Sequence, residues 1–153
     1  MESFTADPGT TVEIRPPRTE QELDAALKVR YEVFCVEQGV PREDERDGRD
    51  RASGSMHLIA LLDGNVVATC RLVFVGTTVQ FSRLAVSVPA RRLGIATALL
   101  RRTDAEARAR GANRIVLHAQ THARSLYEKA DYQPRGREFV EANIEHVAME
   151  KQL

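Results

Sequence analysis

Val79-Gln80-Phe81-Ser82-Arg83-Leu84-Ala85-Val86-Ser87-Val88-Pro89-Ala90-Arg91-Arg92-Leu93-Gly94-Ile95-Ala96-Thr97 joins a strand to a helix through a tight turn. The β-branched and aromatic content of Val79 to Val86 is that of a strand. Ile95, Ala96, Leu99, Leu100, Thr103 and Ala107 fall on one face of a helix that runs to about Arg110, with Arg101, Asp104 and Arg108 outside. Between them, Ser87 to Gly94 sets two arginines and several backbone N–H groups where the helix begins. Unpaired amides and the helix dipole, roughly half a positive charge, favour an anion there by ~0.3–2 kcal/mol. The turn therefore predicts a phosphate site. A Walker loop needs Gly-Lys-Ser/Thr, and a dinucleotide fold needs three glycines and an acidic residue about 20 positions on. Neither pattern is present.

Upstream, Met1 to Thr10 lacks periodicity and reads as a flexible N-terminal tail, followed by a single domain over 11–153. Val12-Glu13-Ile14-Arg15 alternates and stops at Pro16-Pro17, as a short strand does. Thr19 and Glu22 form a capping box. Leu23, Ala26, Leu27, Arg30, Tyr31 and Phe34 then predict a helix from about Glu20 into the Val33–Val36 region. The mixed-charge run from Pro41 to Arg51 predicts a solvated loop. His57 to Leu62, then Asp63-Gly64-Asn65, then Val66 to Val75 predict two antiparallel strands around a tight turn, leading through Gly76-Thr77-Thr78 into the strand at Val79. Gly111 is a helix stop. Ile115 to Ala119 predicts a buried strand, Ala123 to Lys129 a short helix, and Tyr132 to Arg137 with Val147 to Lys151 two closing strands around a loop.

The chain has 153 residues, enough for one core without staples. Twenty-two Lys and Arg balance twenty-two Asp and Glu, so no global field recruits nucleic acid or an anionic membrane surface. Arg91, Arg92, Arg101 and Arg102 could line a nucleic-acid binder, but zero net charge and few aromatics weigh against that class. Cys35 and Cys70 lack Cys-x-x-Cys spacing and a nearby His cluster, which predicts apolar fillers, no metal and a reducing compartment. The sequence has no basic-then-apolar leader and no run of ~18 apolar residues, so the expectation is a soluble, cytoplasmic protein.

Arg91-x-x-Gly94-x-Ala96 resembles the Arg/Gln-x-x-Gly-x-Gly/Ala signature of the GNAT superfamily of N-acyltransferases. The order of elements resembles the GNAT fold over nearly the whole chain: α/β, with a mixed, mostly antiparallel central sheet flanked by helices. Three segments resemble the ElaA-like branch in particular: Arg30-x-x-Val33-Phe34-x-Val36-Glu37-Gln38, His118-Ala119-Gln120-Thr121 with Tyr127, and Glu138-Phe139-x-Glu141-x-x-Ile144-x-His146-Val147-x-Met149. The resemblance implies acetyl-CoA as co-substrate, with no metal. It places the cofactor on Leu84, Ala85 and Val86 of the strand, on Arg91, Arg92, Leu93, Gly94, Ile95, Ala96 and Thr97 of the turn, and on Gln120. Two positions depart from the pattern: Ala96 replaces the second glycine, and Gln120 stands where many relatives carry Asn.

Acyl transfer from a thioester to an amine needs a neutral amine, a stabilised oxyanion and a protonated thiolate. A lysine-like amine costs about 4.6 kcal/mol to deprotonate at pH 7, so a base assists. Glu37, Asp44, Glu45, Glu141 and His146 are the candidates, with Glu37 and His146 foremost because they lie in the ElaA-like segments. Both are expected away from the cofactor turn. A backbone N–H near Leu84 or Val86 would serve the oxyanion. Tyr127 stands where many GNAT enzymes carry a Tyr facing the cofactor sulfur. The implied function is N-acetyl transfer from acetyl-CoA to a primary amine of a small molecule or peptide, directly, in a ternary complex. A non-catalytic acyl-CoA-binding or sensor protein is the alternative. A homodimer is left open.

Overall fold

A computed structural model describes residues 2–7 and 10–153 of the chain. One mixed sheet holds eight strands in the order β1-β2-β3-β4-β5-β6-β8-β7. These are β1 Glu2–Asp7, β2 Thr10–Arg15, β3 Ser55–Leu62, β4 Asn65–Val75, β5 Thr78–Val86, β6 Arg114–Gln120, β7 Gln133–Glu141 and β8 Ile144–Gln152. Every neighbouring pair is antiparallel except β5 and β6. Helix α1 spans Glu20–Arg30, the short α2 Arg42–Glu45, α3 Ile95–Ala109 and α4 Arg124–Lys129. This is the expected α/β architecture with a mostly antiparallel sheet.

Strand β3 shows how the layers arise. Its run Leu58-Ile59-Ala60-Leu61 is buried on both faces. By the two-residue period, Leu58 and Ala60 join the large core built on Leu99 and Leu100 of α3, while Ile59 and Leu61 pack with Ala26 of α1. Helices therefore cover both sides of the sheet. Among the described residues, no helix is long and apolar enough to cross a membrane.

Three local expectations are corrected. Where the sequence suggests a tail over residues 1–10, Glu2–Asp7 pairs with β2 as an edge strand, the polar hairpin partner of a buried neighbour; residues 1, 8 and 9 lie outside the described set. Helix α1 passes at Tyr31 into a π-helical segment, Tyr31–Glu37, in which Gln38 N–H reaches back to Val33 O. That wider turn rotates the following side chains, so Val33 is buried and Tyr31, expected on the apolar stripe, is 41% exposed. The closing strands run on to meet in a tight turn at Ala142-Asn143, both at positive φ, so the expected loop is an extended hairpin.

Candidate active site

The site begins where two parallel strands part. Strand β5 pairs with β6 only from Thr78 to Gln80, opposite Arg114 to Val116. Beyond that point β6 stays on β8 and β5 stays on β4, which opens a wedge. The same part of β5 carries a bulge. Arg83 sits at φ 60°, and the β4 register slips between Thr69 and Arg71. An extra residue reverses the facing of everything after it. Accordingly, Val79 and Phe81 pack in the α3 core, whereas Ala85 packs on the other face against Val29 and Val33.

The bulge also decides which backbone groups meet the wedge. Ser87 N–H donates to Val67 O on β4 at 2.8 Å. Backbone groups alternate edges along a strand, so Val86 and Leu84 direct their N–H groups to the open side. The Val86 carbonyl confirms the direction, since it accepts from the Arg91 guanidinium at 2.9 Å across that edge. Leu84 and Val86, near which the sequence places an oxyanion donor, thus border the wedge.

The turn follows the wedge. A short 3₁₀ turn, Val88–Ala90, leads to Arg92 at φ 65° and to Gly94 at φ 81°, which precedes α3. The Gly94 cap carbonyl accepts from the Ala98 N–H at 3.1 Å, so the N–H groups of Ile95, Ala96 and Thr97 precede the helix ladder. A cavity of about 250 Å³ opens against them, lined by Val86, Ala90, Arg91, Arg92, Gly94, Ile95, Ala96, Thr97 and Leu126. A Cβ on Gly94 would meet nothing within 4 Å, so what glycine supplies here is the left-handed backbone that leads into α3.

Glu37 is not away from the turn. Its carboxylate accepts both terminal nitrogens of Arg91, at 2.8 and 2.6 Å, from the end of the π-helical segment. Hydrogen bonding from Arg91 holds the Glu37 carboxyl below its ordinary range against the opposing effect of burial. A carboxylate so held is a poor proton acceptor. Arg91, expected as a phosphate ligand, spends its guanidinium on Glu37 and Val86, which leaves the amides as the anion site.

The wedge continues into a cleft of about 1230 Å³. One wall is the π-helical segment, with Val33, Phe34, Glu37 and Gln38. The opposite wall comes from β6, β7 and β8. Gln120 exchanges hydrogen bonds with Gln38 at 2.8 and 3.3 Å and accepts from His122 at 2.6 Å, so it ties the two walls together. Beside it, the His118 Nδ1 donates to Glu141 at 3.1 Å, and His146, 6% exposed, stacks on Phe139. Leu84, Ala85 and Val86 line the cleft with Tyr127 of α4. The Tyr127 ring is edge-on to Phe81 and Tyr132, and burial raises its phenol well above the ordinary tyrosine range. The hydroxyl of Tyr132 is sealed with no partner, whereas Tyr127 lines the cleft.

The charged run from Pro41 to Arg51 is the largest departure from the sequence reading. It supplies Glu45, 2% exposed, along with Asp47 and Asp50, and these hold three arginines from three elements. Arg30, 1% exposed, binds Glu45 at 2.5 Å and Asp50 at 2.6 Å. Arg71 of β4 takes Asp47 through both terminal nitrogens, at 2.8 and 2.7 Å. Arg83, at the bulge, donates to the Glu45 side chain at 3.1 Å and to the Glu45 carbonyl at 3.2 Å. Arg71 hydrogen bonds hold the Asp47 carboxyl far below its usual range against the effect of burial. Burial pushes Asp50 upward, but Arg30 and Arg71 together outweigh it and the net shift is down. No sequence pattern singles out Arg71 and Arg83, and none links Arg30, which heads an ElaA-like segment, to these carboxylates, because the partners lie 15 to 38 positions away. Of the cysteines, Cys70 is fully buried as expected, while Cys35 is partly exposed; both are free thiols. Among the described residues no group of three His, Cys, Asp or Glu is placed to hold a metal ion.

A sheet parted at β5 and β6, with an amide-lined turn at the wedge, defines an acyl-CoA acyltransferase scaffold. The acetyltransferase (GNAT) domain model matches residues 16–153, and the chain belongs to that family. It is 30% identical over 135 residues to YjcF of Bacillus subtilis (strain 168), named an uncharacterized N-acetyltransferase, which covers 88% of this chain and 95% of the relative. An acyl-CoA N-acyltransferase from Pseudomonas aeruginosa superposes with a TM-score of 0.81 at 30% identity, covering 94% of this chain and 99% of the other. Escherichia coli ElaA shares the fold with a TM-score of 0.82 at 24% identity, over 92% of this chain and 99% of its own. The protein is an acyltransferase of the GNAT type, with ElaA-like architecture.

Proposed function

We propose that this protein moves an acetyl group from acetyl-CoA, the co-substrate of its family, to a primary amine of a small molecule or peptide, by direct attack while both are bound. The observation that carries the reading is the pair of outward N–H groups at Leu84 and Val86, in the wedge that leads to the amide-lined turn. The residues fit the co-substrate. Backbone amides from Arg92 to Thr97 suit a pyrophosphate, the open edge of β5 suits an amide-bearing pantetheine arm, and a donor aimed where negative charge develops lowers the barrier to acyl transfer. The thioester supplies the activated acyl group. Arg91 and Glu37 brace the turn against the π-helical wall. His146 faces the acceptor side, Tyr127 the sulfur side, and Gln120 closes the wall between them.

Two measurements test this. With a panel of primary amines, the protein should release free thiol from acetyl-CoA in proportion to N-acetyl product; a protein that binds acetyl-CoA tightly yet releases none with any amine would be a sensor. Gly94→Leu should weaken CoA binding by at least about tenfold, or ~1.4 kcal/mol, because a side chain strains the left-handed backbone that aims the turn amides. Calorimetry showing parental CoA affinity in that variant would move the phosphate site elsewhere.

A further inference from the structure

Three side chains on the β6–β8–β7 wall, His146, Glu141 and His118, form a connected series whose separate roles the acyl-transfer reading leaves undivided. His118, Gln120, His146, Phe139 and Glu141 share one face of the sheet: His146 lies opposite Gln120 on β6 and opposite Phe139 on β7, and His118 and Glu141 sit two residues from those partners. The His146 Nδ1 lies 2.7 Å from Ile144 O. A carbonyl only accepts, so Nδ1 carries the hydrogen and the neutral ring keeps its lone pair on Nε2. Nε2 lies 3.8 Å from one Glu141 oxygen, and the other Glu141 oxygen accepts from the His118 Nδ1 at 3.1 Å. Stacking on Phe139, at 5.9 Å and 21°, fixes the His146 ring plane, and Phe139 meets His118 edge-on at 5.0 Å. His146 is nearly enclosed, whereas the side chains of Glu141 and His118 are 52% and 55% exposed, so the series runs from the cleft to water.

We infer that His146 is the general base of the reaction, with its tautomer preset by Ile144 and its imidazolium held by Glu141, and that His118 positions Glu141. This rests on the acyltransferase reading. The acceptor ammonium gives one proton to His146 Nε2 and becomes the neutral amine; Nε2–H⁺ then faces the Glu141 carboxylate until water removes the proton. A backbone carbonyl orients the base through Nδ1, and the carboxylate lies on the side of the accepting nitrogen, where the positive charge would form.

The test combines kinetics with nitrogen NMR. In ¹⁵N-histidine-labelled protein, neutral His146 should show Nδ1 protonated and Nε2 bare; the opposite tautomer would overturn the proposal without reference to activity. His146→Ala and His146→Gln should lower kcat/KM for the amine about 10²-fold or more while CoA affinity by calorimetry stays parental, and added imidazole should restore part of the His146→Ala loss. Glu141→Gln should cost at least about tenfold in the parental background and nothing further on His146→Ala, because the two act as one unit. An equal Glu141→Gln penalty in both backgrounds, or parental amine kinetics in both His146 variants, overturns this inference alone. A parental protein that releases no thiol with any amine overturns the acyltransferase reading as well.

Discussion

Replacing Glu45 by alanine should destabilise the fold by about 3–5 kcal/mol, read as a large fall in the denaturant midpoint. The carboxylate is 2% exposed and serves Arg30, itself 1% exposed, and Arg83 at the bulge. Its loss leaves Arg30 with Asp50 and the Glu45 backbone carbonyl, and Arg83 with Asp47 and two backbone carbonyls, so the buried Arg30 cation loses one of its two carboxylates. The cost is that of uncovering a buried charge, which exceeds the net worth of the intact pair. Exposure decides the magnitude. Glu20 is bound to Arg51 at 2.6 Å, but their side chains are 72% and 58% exposed, and Glu20→Ala should leave the midpoint nearly unchanged. A Glu45→Ala midpoint no lower than that of Glu20→Ala would show that water compensates the arginines. Because Glu45 also anchors the bulge that turns Leu84 and Val86 outward, the residual folded variant should turn over slowly even where it is fully native by circular dichroism.

Tyr127→Phe should lower kcat by about 10²–10⁴-fold with a stability change under about 1 kcal/mol. The stability term is small because the hydroxyl has no protein partner among the described residues, while the ring keeps its edge-on contacts with Phe81 at 6.4 Å and Tyr132 at 5.9 Å. The rate term follows from what the hydroxyl can do. From reference values, moving a proton from a phenol to a cysteine-like thiolate is uphill by about 2 kcal/mol. Burial raises the Tyr127 phenol further, so complete transfer is harder still and the group acts as a hydrogen-bond donor to the departing sulfur. A Phe variant that turns over acetyl-CoA and amine at the parental rate would make Tyr127 a packing residue.

Sequence by itself determined what local chemistry governs. The period of Leu99, Leu100, Thr103 and Ala107 placed α3, the Asp63-Gly64 turn placed the β3–β4 hairpin, and Gly94 before a helix marked the anion turn, because each depends on residues a few positions apart. The family segments around Glu37, Gln120, Tyr127 and His146 named residues that do line one cleft. Only the tertiary structure decided how those residues are used. Glu37 meets Arg91 across 54 positions, and Gln38 meets Gln120 across 82. The charged run reads as solvent-facing because charge pattern carries no information about which arginines the fold will bring to it; Arg71 and Arg83 arrive from strands 24 and 38 positions away. The bulge at Arg83 has no glycine to announce it, and its left-handed backbone persists with Glu45 holding the side chain. Periodicity fixes which face a residue shows within its own element, whereas the burial of a charge and the free edge of a strand are set by which distant element packs beside it.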